Sequence, residues 1–165
     1  MNNLVLSGVK KLFHLSPDLV QSQLFDETTF YKRFIADLKR SRTEVIIESP
    51  FITSQRVFHL TAVFAELVRR KVKVYVITRD PDDHDPNLKR QAECEIRQFE
   101  TMGIQVLISN EYSHRKLAII DRKVLWEGSL NILSQTCSRE IMRRIQSSSM
   151  SQEMFEYLKL SRFIY

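Results

Sequence analysis

The chain has little of what usually announces a function. Its 165 residues include 3 glycines, too few for a glycine-rich phosphate loop. Two cysteines, Cys94 and Cys137, stand alone, without the spacing of a zinc site or a disulfide framework. Reduced thiols of this kind fit a cytoplasmic protein. Proline numbers 4 and tryptophan 1, so there is no proline-rich tract. No apolar run nears the ~20 residues needed to cross a bilayer, and no membrane is expected as a partner. The start, from Met1 to Lys11, shows no basic segment followed by the long apolar stretch of a secretory signal. Internal repeats are absent.

What is present is ordinary globular material with a positive excess. Hydrophobic residues make up 43% and the formal net charge is +5, which suits a polyanionic partner. The length supports one domain with a proper core. We divide the chain into an N-terminal extension, 1–25, and a main domain, 26–165.

Hydrophobic spacing gives the element order. Ser16-Pro17-Asp18 has the cap-and-proline pattern of a helix start. Asp26 is placed to cap a helix to about Lys39, with Phe30, Phe34, Ile35 and Leu38 on one face. Glu44 to Glu48 reads as a strand. Leu60, Val63, Phe64, Leu67 and Val68 form a helical stripe, and Val72 to Ile77 is the next strand. An acidic loop from Pro81 to Asn87 precedes a helix to about Met102 and a strand from Ile104 to Ile108. A hairpin follows: Leu117 to Ile120, a turn at Asp121-Arg122-Lys123, then Val124 to Trp126. Helices are expected from about Ser138 and Ser151, joined flexibly through Ser147 to Ser149. The alternation argues an α/β fold, with a mixed, largely parallel sheet flanked by helices on both faces.

The chemistry concentrates in the segment from His114 to Asn131. His114 and Lys116 are two apart, which puts both on one face of an extended chain. A hairpin returns its outer ends together, so Ser129 and Asn131 come back beside them. Imidazole, ammonium, hydroxyl and amide suit a tetrahedral phosphoryl group: charge from Lys116, donors from Ser129 and Asn131, attack or proton transfer from His114.

This segment resembles the signature of the phospholipase D superfamily, H-x-K-x4-D-x6-G-S-x-N, at all six defined positions. The resemblance extends over the strand–helix order from about Phe30 onward and implies the phospholipase D-like fold. It also implies the reaction. One histidine attacks phosphorus to give a phosphohistidine. A second, from another copy of the motif, protonates the leaving oxygen and then activates water or an alcohol. Neither metal nor other cofactor is implied. Glu140 matches the family's downstream acid, which orients the imidazole; its alternative is an acid at a helix N-terminus. The implied catalytic set is His114, Lys116, Ser129, Asn131 and Glu140. Asp121 is expected to be structural, accepting backbone N–H groups within its turn. Gly128 is expected to permit close backbone approach or a positive φ.

Only one such motif exists, because His14, His59 and His84 have no lysine two residues later. A complete site therefore calls for a homodimer, with His114, Lys116 and Asn131 from both chains facing across a two-fold axis. Arg115, Arg139, Arg143 and Arg144 are candidate nucleic-acid contacts, the last three on one expected helix. Phe51 either stacks on a base or packs under its loop. Arg79 either meets phosphate or pairs with Asp80 or Asp82.

Small single-motif members of the superfamily are commonly nucleases, some attached to helicases or of restriction type. The resemblance thus implies cleavage of DNA, with RNA as the other polyanion, and is compatible with a place in a larger helicase or restriction-type protein. Two other classes stand beside this reading. One is a lipid phosphodiesterase or phosphatidyl transferase. The other is a non-catalytic nucleic-acid-binding module of a nuclease or helicase assembly. A metal site at Asp82-Asp83-His84-Asp85 is disfavoured, since consecutive side chains diverge and no second acidic cluster completes a cage.

Overall fold

The computed structural model describes residues 21–109, 113–134 and 137–164; the helix start at Ser16-Pro17-Asp18 lies outside them. Strand β1 (Ser22–Asp26) leads to helix α1 (Phe30–Arg40), then β2 (Glu44–Glu48), α2 (Ser54–Arg69) and β3 (Lys73–Arg79). A short 3-10 turn at Pro81–Asp83 precedes α3 (Pro86–Met102) and β4 (Gln105–Ser109). The chain closes with β5 (Leu117–Ile120), β6 (Val124–Gly128), β7 (Ile141–Gln146), α4 (Ser148–Tyr157) and a 3-10 turn at Leu160–Arg162.

The seven strands form one mixed sheet in the order β1-β7-β6-β5-β2-β3-β4. β2 is buried at every position, as expected for the strand at which the sheet changes direction. It pairs parallel with β3 and antiparallel with β5. The β2-β3-β4 half is parallel because helices carry its crossovers. The β5-β6-β7-β1 half is antiparallel; the turn joining β5 to β6, residues 121–123, is too short for a crossover. All of β1 but Asp26 lies within the segment read from sequence as an extension, and the strand pairs along its whole length with β7.

Two cores result. Val45, Ile47, Val76, Ala118 and Trp126 pack under α1, α2 and α3, while Ile46, Leu117, Ile119 and Ile145 pack under α4 and the last turn. Phe30 and Phe34 meet Trp126 edge-on at 5.1 and 6.0 Å. α3 ends at Gly103, whose φ of 90° supplies the left-handed cap.

Four sequence expectations are corrected. Residues 141–146 are strand β7, not part of a helix from Ser138. Met142 turns inward while Ile141 and Arg143 turn out, so period-2 burial overrides the helical reading. Ser147 is no flexible joint: its side chain accepts from the Met150 N–H and caps α4. Asp26 accepts from the N–H groups of Thr28 and Thr29, closing a turn ahead of α1 rather than capping the helix itself. Arg144 is buried within the sheet and is removed from the nucleic-acid set. Its Nε lies 2.6 Å from Asp37 Oδ2, and Trp126 Nε1 donates to the same oxygen at 3.1 Å.

Gly128 owes its place to close approach. A Cβ there would lie 2.2 Å from the Ile141 carbonyl oxygen and 2.9 Å from Met142 Cα. Backbone cannot yield as a flexible side chain does. Gly128→Ala should therefore cost about 3 kcal/mol, the upper end for overpacking. Denaturant unfolding checks this; a change below about 0.5 kcal/mol would show that β6 and β7 separate freely there.

Candidate active site

The β5–β6 hairpin builds the site from two ends. At its closed end Asp121 and Arg122 both take positive φ, 50° and 49°, and the Lys123 N–H donates to the Ile120 carbonyl at 3.0 Å. These are the marks of a tight type I′ hairpin turn. Asp121 does not serve its own turn, as the sequence reading had it. Its carboxylate accepts from the backbone N–H groups of Arg42, Thr43 and Glu44 and from Thr43 Oγ1. Burial pushes its pKa up, but these hydrogen bonds outweigh it and hold the group below its ordinary range. Asp121 thus pins the hairpin to the start of β2.

At the open end the Gly128 N–H donates to the Lys116 carbonyl at 3.2 Å, which sets the residues after β6 beside those before β5. Lys116 is buried, and its ammonium rests against the His114 ring. It contacts Nδ1, lies 3.3 Å from Nε2 and donates to the His114 carbonyl at 2.6 Å. His114 itself is exposed. Ser129 is tied to the next strand: its N–H donates to the Ile141 carbonyl and its Oγ accepts from the Ile141 N–H. Glu140, immediately before, lies within electrostatic reach of Lys116. Ser138 Oγ donates to the Glu140 carboxylate at 3.1 Å. Glu140 is not in a helix, so the helix-terminus alternative is removed. Asn131 Oδ1 is buried and, among the described residues, accepts no hydrogen bond.

Charges near His114 act in one direction. Desolvation of the ring, then Lys116, then Arg79 push its pKa down. Burial also pushes Lys116 down, while Glu140 pushes it back up. A depressed imidazole pKa leaves the ring neutral, with a lone pair for attack, to lower pH than usual. The acid limb of kcat/KM should therefore fall below pH 6.5, the ordinary imidazole value. Arg79→Met removes one cation and should move that limb upward. A limb at or above 6.5 in the unaltered protein would contradict this reading.

The wall beside His114 holds Phe51 and Arg79, which the sequence reading weighed, and His84, which it placed only in the acidic loop. The Phe51 ring stands 6.1 Å from His114 and 5.1 Å from His84. Arg79, buried at the end of β3, carries its guanidinium 5.6 Å from the Phe51 centroid. It pairs with Asp83 at 3.7 Å, not with Asp80 or Asp82. The acidic loop has local work: Asp80 accepts from the Asp82 N–H, Asp82 pairs with Lys89, and Asp85 caps α3. No group of three or more His, Cys, Asp or Glu side chains among the described residues is placed to hold a metal ion. Of the remaining arginines, Arg139 and Arg143 are exposed, and Arg143 donates to Ser22 Oγ at 2.9 Å. The Arg115 Nε donates to Glu48 at 2.9 Å. Among the described residues no helix is long and apolar enough to cross a membrane.

A hairpin that seats histidine against a buried lysine, on this mixed sheet, defines a phospholipase D-like protein. The family described as "Cardiolipin synthase, PLD-like domain" matches residues 34–160, and the chain belongs to that family. Its fold is similar to that of Nuc, a phospholipase D family member from Salmonella typhimurium, with a TM-score of 0.69 at 15% identity over 84% of this chain and 91% of that one. NucT from Helicobacter pylori gives 0.69 at 18% identity, over 84% and 93%. Phosphatidylserine synthase from Haemophilus influenzae Rd KW20 gives 0.68 at 15% identity, over 84% of this chain and 38% of that one. Among curated protein sequences nothing matches.

Proposed function

We propose that this chain is a metal-independent phosphodiesterase, a DNA endonuclease that works through a covalent phosphohistidine on His114. The observation that carries this is the exposed imidazole backed by the buried Lys116 ammonium. A neutral ring nitrogen attacks phosphorus, a P–N bond forms and the P–O bond to the leaving group breaks. The leaving oxygen takes a proton from His114 of a second copy, which is protonated at this stage. Water then gives its proton to that second imidazole as its oxygen attacks phosphorus, and the P–N bond breaks. Lys116, Ser129 and Asn131 hold the phosphoryl oxygens, with Asn131 offering its amide N–H donors. One chain supplies one such histidine, so the site is complete in a homodimer. Net charge of +5 and the exposed Arg139 and Arg143 favour a nucleic-acid substrate.

A second reading has an observation of its own. A cleft of about 420 Å³ adjoins Lys116 and Gly128, and Leu24, Leu117, Ile141, Met154 and Tyr157 line it. Arg115, Glu127 and Arg143 line it too, and its apolar part would admit part of an acyl chain. The deciding experiment offers labelled single- and double-stranded DNA, and separately phosphatidylglycerol vesicles, in excess EDTA. DNA cleavage with untouched lipid is the expected result. Lipid turnover alone would replace DNA by phospholipid. Cleavage that needs added magnesium would overturn the histidine mechanism.

A further inference from the structure

The residues on either side of His114 share one partner. Glu48, the last residue of β2, is 2% exposed. Its Oε1 accepts from Ser113 Oγ at 2.5 Å and from Arg115 Nε at 2.9 Å, and its Oε2 lies 3.2 Å from the same Nε. The registry explains the arrangement. Glu48 stands opposite Leu117 across the antiparallel β2–β5 pair, on the face of the sheet that carries Ile46 and Leu117. Arg115, two residues before Leu117, reaches that same face. His114 and Lys116 alternate to the other, where Ala118 lies.

We infer that Glu48 is a positioning residue: by holding Ser113 and Arg115 it fixes the backbone at 113–115 and so directs the His114 ring into the site. The inference rests on the proposed role of His114. Residues 113–115 lie outside the strands, so side chains must do what a ladder does elsewhere. The largest charges acting on the His114 ring are those of Lys116 and Arg79. Glu48 therefore works through the backbone and not through the ring. Arg115, read from the sequence as a nucleic-acid contact, has its guanidinium engaged in this clamp.

The test compares Glu48→Gln, Glu48→Ala and the double variant S113A/R115A with the unaltered protein. Turnover of bis-p-nitrophenyl phosphate is followed in EDTA, with thermal unfolding run in parallel. Glu48→Ala should lower kcat at least about tenfold with KM within about twofold, since a misdirected nucleophile costs rate rather than binding. Glu48→Gln keeps an oxygen that accepts from both partners and should recover most of the rate. If Glu48→Ala does not fold, S113A/R115A carries the same comparison, because it releases the segment from the other side. Unchanged kcat in folded variants would overturn the inference, and so would a raised KM at constant kcat, which would make Arg115 a substrate contact. Loss of activity in His114→Ala with full activity in every Glu48 variant would leave the proposed function standing and remove this inference alone. Activity that survives His114→Ala would remove both.

Discussion

His114→Ala should abolish phosphodiester cleavage in EDTA, by at least about 10⁴-fold, while the protein stays folded. The side chain is exposed and its ring is not part of either core, so its removal costs chemistry and not packing. Mixing sharpens the expectation. In a site built from two copies, each catalytic centre needs both histidines. When equal amounts of unaltered and His114→Ala chains are unfolded together and refolded, random pairing leaves about a quarter of the dimers with two histidines. Activity per total chain should fall to about one quarter. A fall only to one half would show that each chain works alone and would remove the composite site.

The second large effect is on stability. Asp37 and Arg144 are both buried, 5% and 6% exposed, and are joined by a 2.6 Å contact with a second at 3.3 Å. Trp126 donates to the same carboxylate. Asp37→Ala strands the guanidinium in the core and should cost about 3–5 kcal/mol. For a domain of this size that corresponds to a fall in Tm of roughly 10 °C or more. Replacing both partners by apolar residues, as in D37L/R144M, should recover much of that loss, because no buried charge is left unpaired. Thermal and denaturant unfolding of Asp37→Ala, Arg144→Met and D37L/R144M check the claim. Single variants within about 1 kcal/mol of the parent would contradict it.

The pair also shows where the sequence was legible and where it was not. Asp37 lies on the helical stripe of Phe30, Phe34 and Leu38, one position short of the next apolar residue. A carboxylate on an apolar stripe signals a buried partner, but the partner is 107 residues away and no local pattern names it. Residues 139–144 carry alternating burial, yet Arg143-Arg144 at consecutive positions resembles a helix surface as much as a strand. Only pairing with β6 and β1 decides in favour of the strand. β2 and the β5–β6 hairpin were readable because apolar runs bounded by charge or a turn leave few other choices.

The candidate site divides in the same way. The span from His114 to Asn131 is local, so its spacing alone showed that Lys116 would meet His114 and that the hairpin ends would return together. Glu48, Phe51, Arg79 and His84 come from the ends of β2 and β3 and the loops after them. They reach the site because parallel strands end at one edge of the sheet, a rule that points to loops without naming side chains. Glu48 did leave a mark: a second glutamate closing the strand Glu44-Val-Ile-Ile-Glu48 is costly to bury without donors. Asp121 was readable as structural. That it pins the start of β2 follows from packing, which the motif spacing does not encode.

The central claim is covalent attack by His114, and the most direct measurement is capture of the intermediate. The protein is mixed with DNA in EDTA, quenched in base, where a phosphohistidine survives, and the peptide carrying His114 is analysed by mass spectrometry. The account predicts a nucleotide or oligonucleotide adduct on His114 that forms during turnover and decays as substrate is consumed. Cleavage at full rate with no adduct on that peptide at any time, under conditions that preserve a phosphohistidine standard, would contradict it.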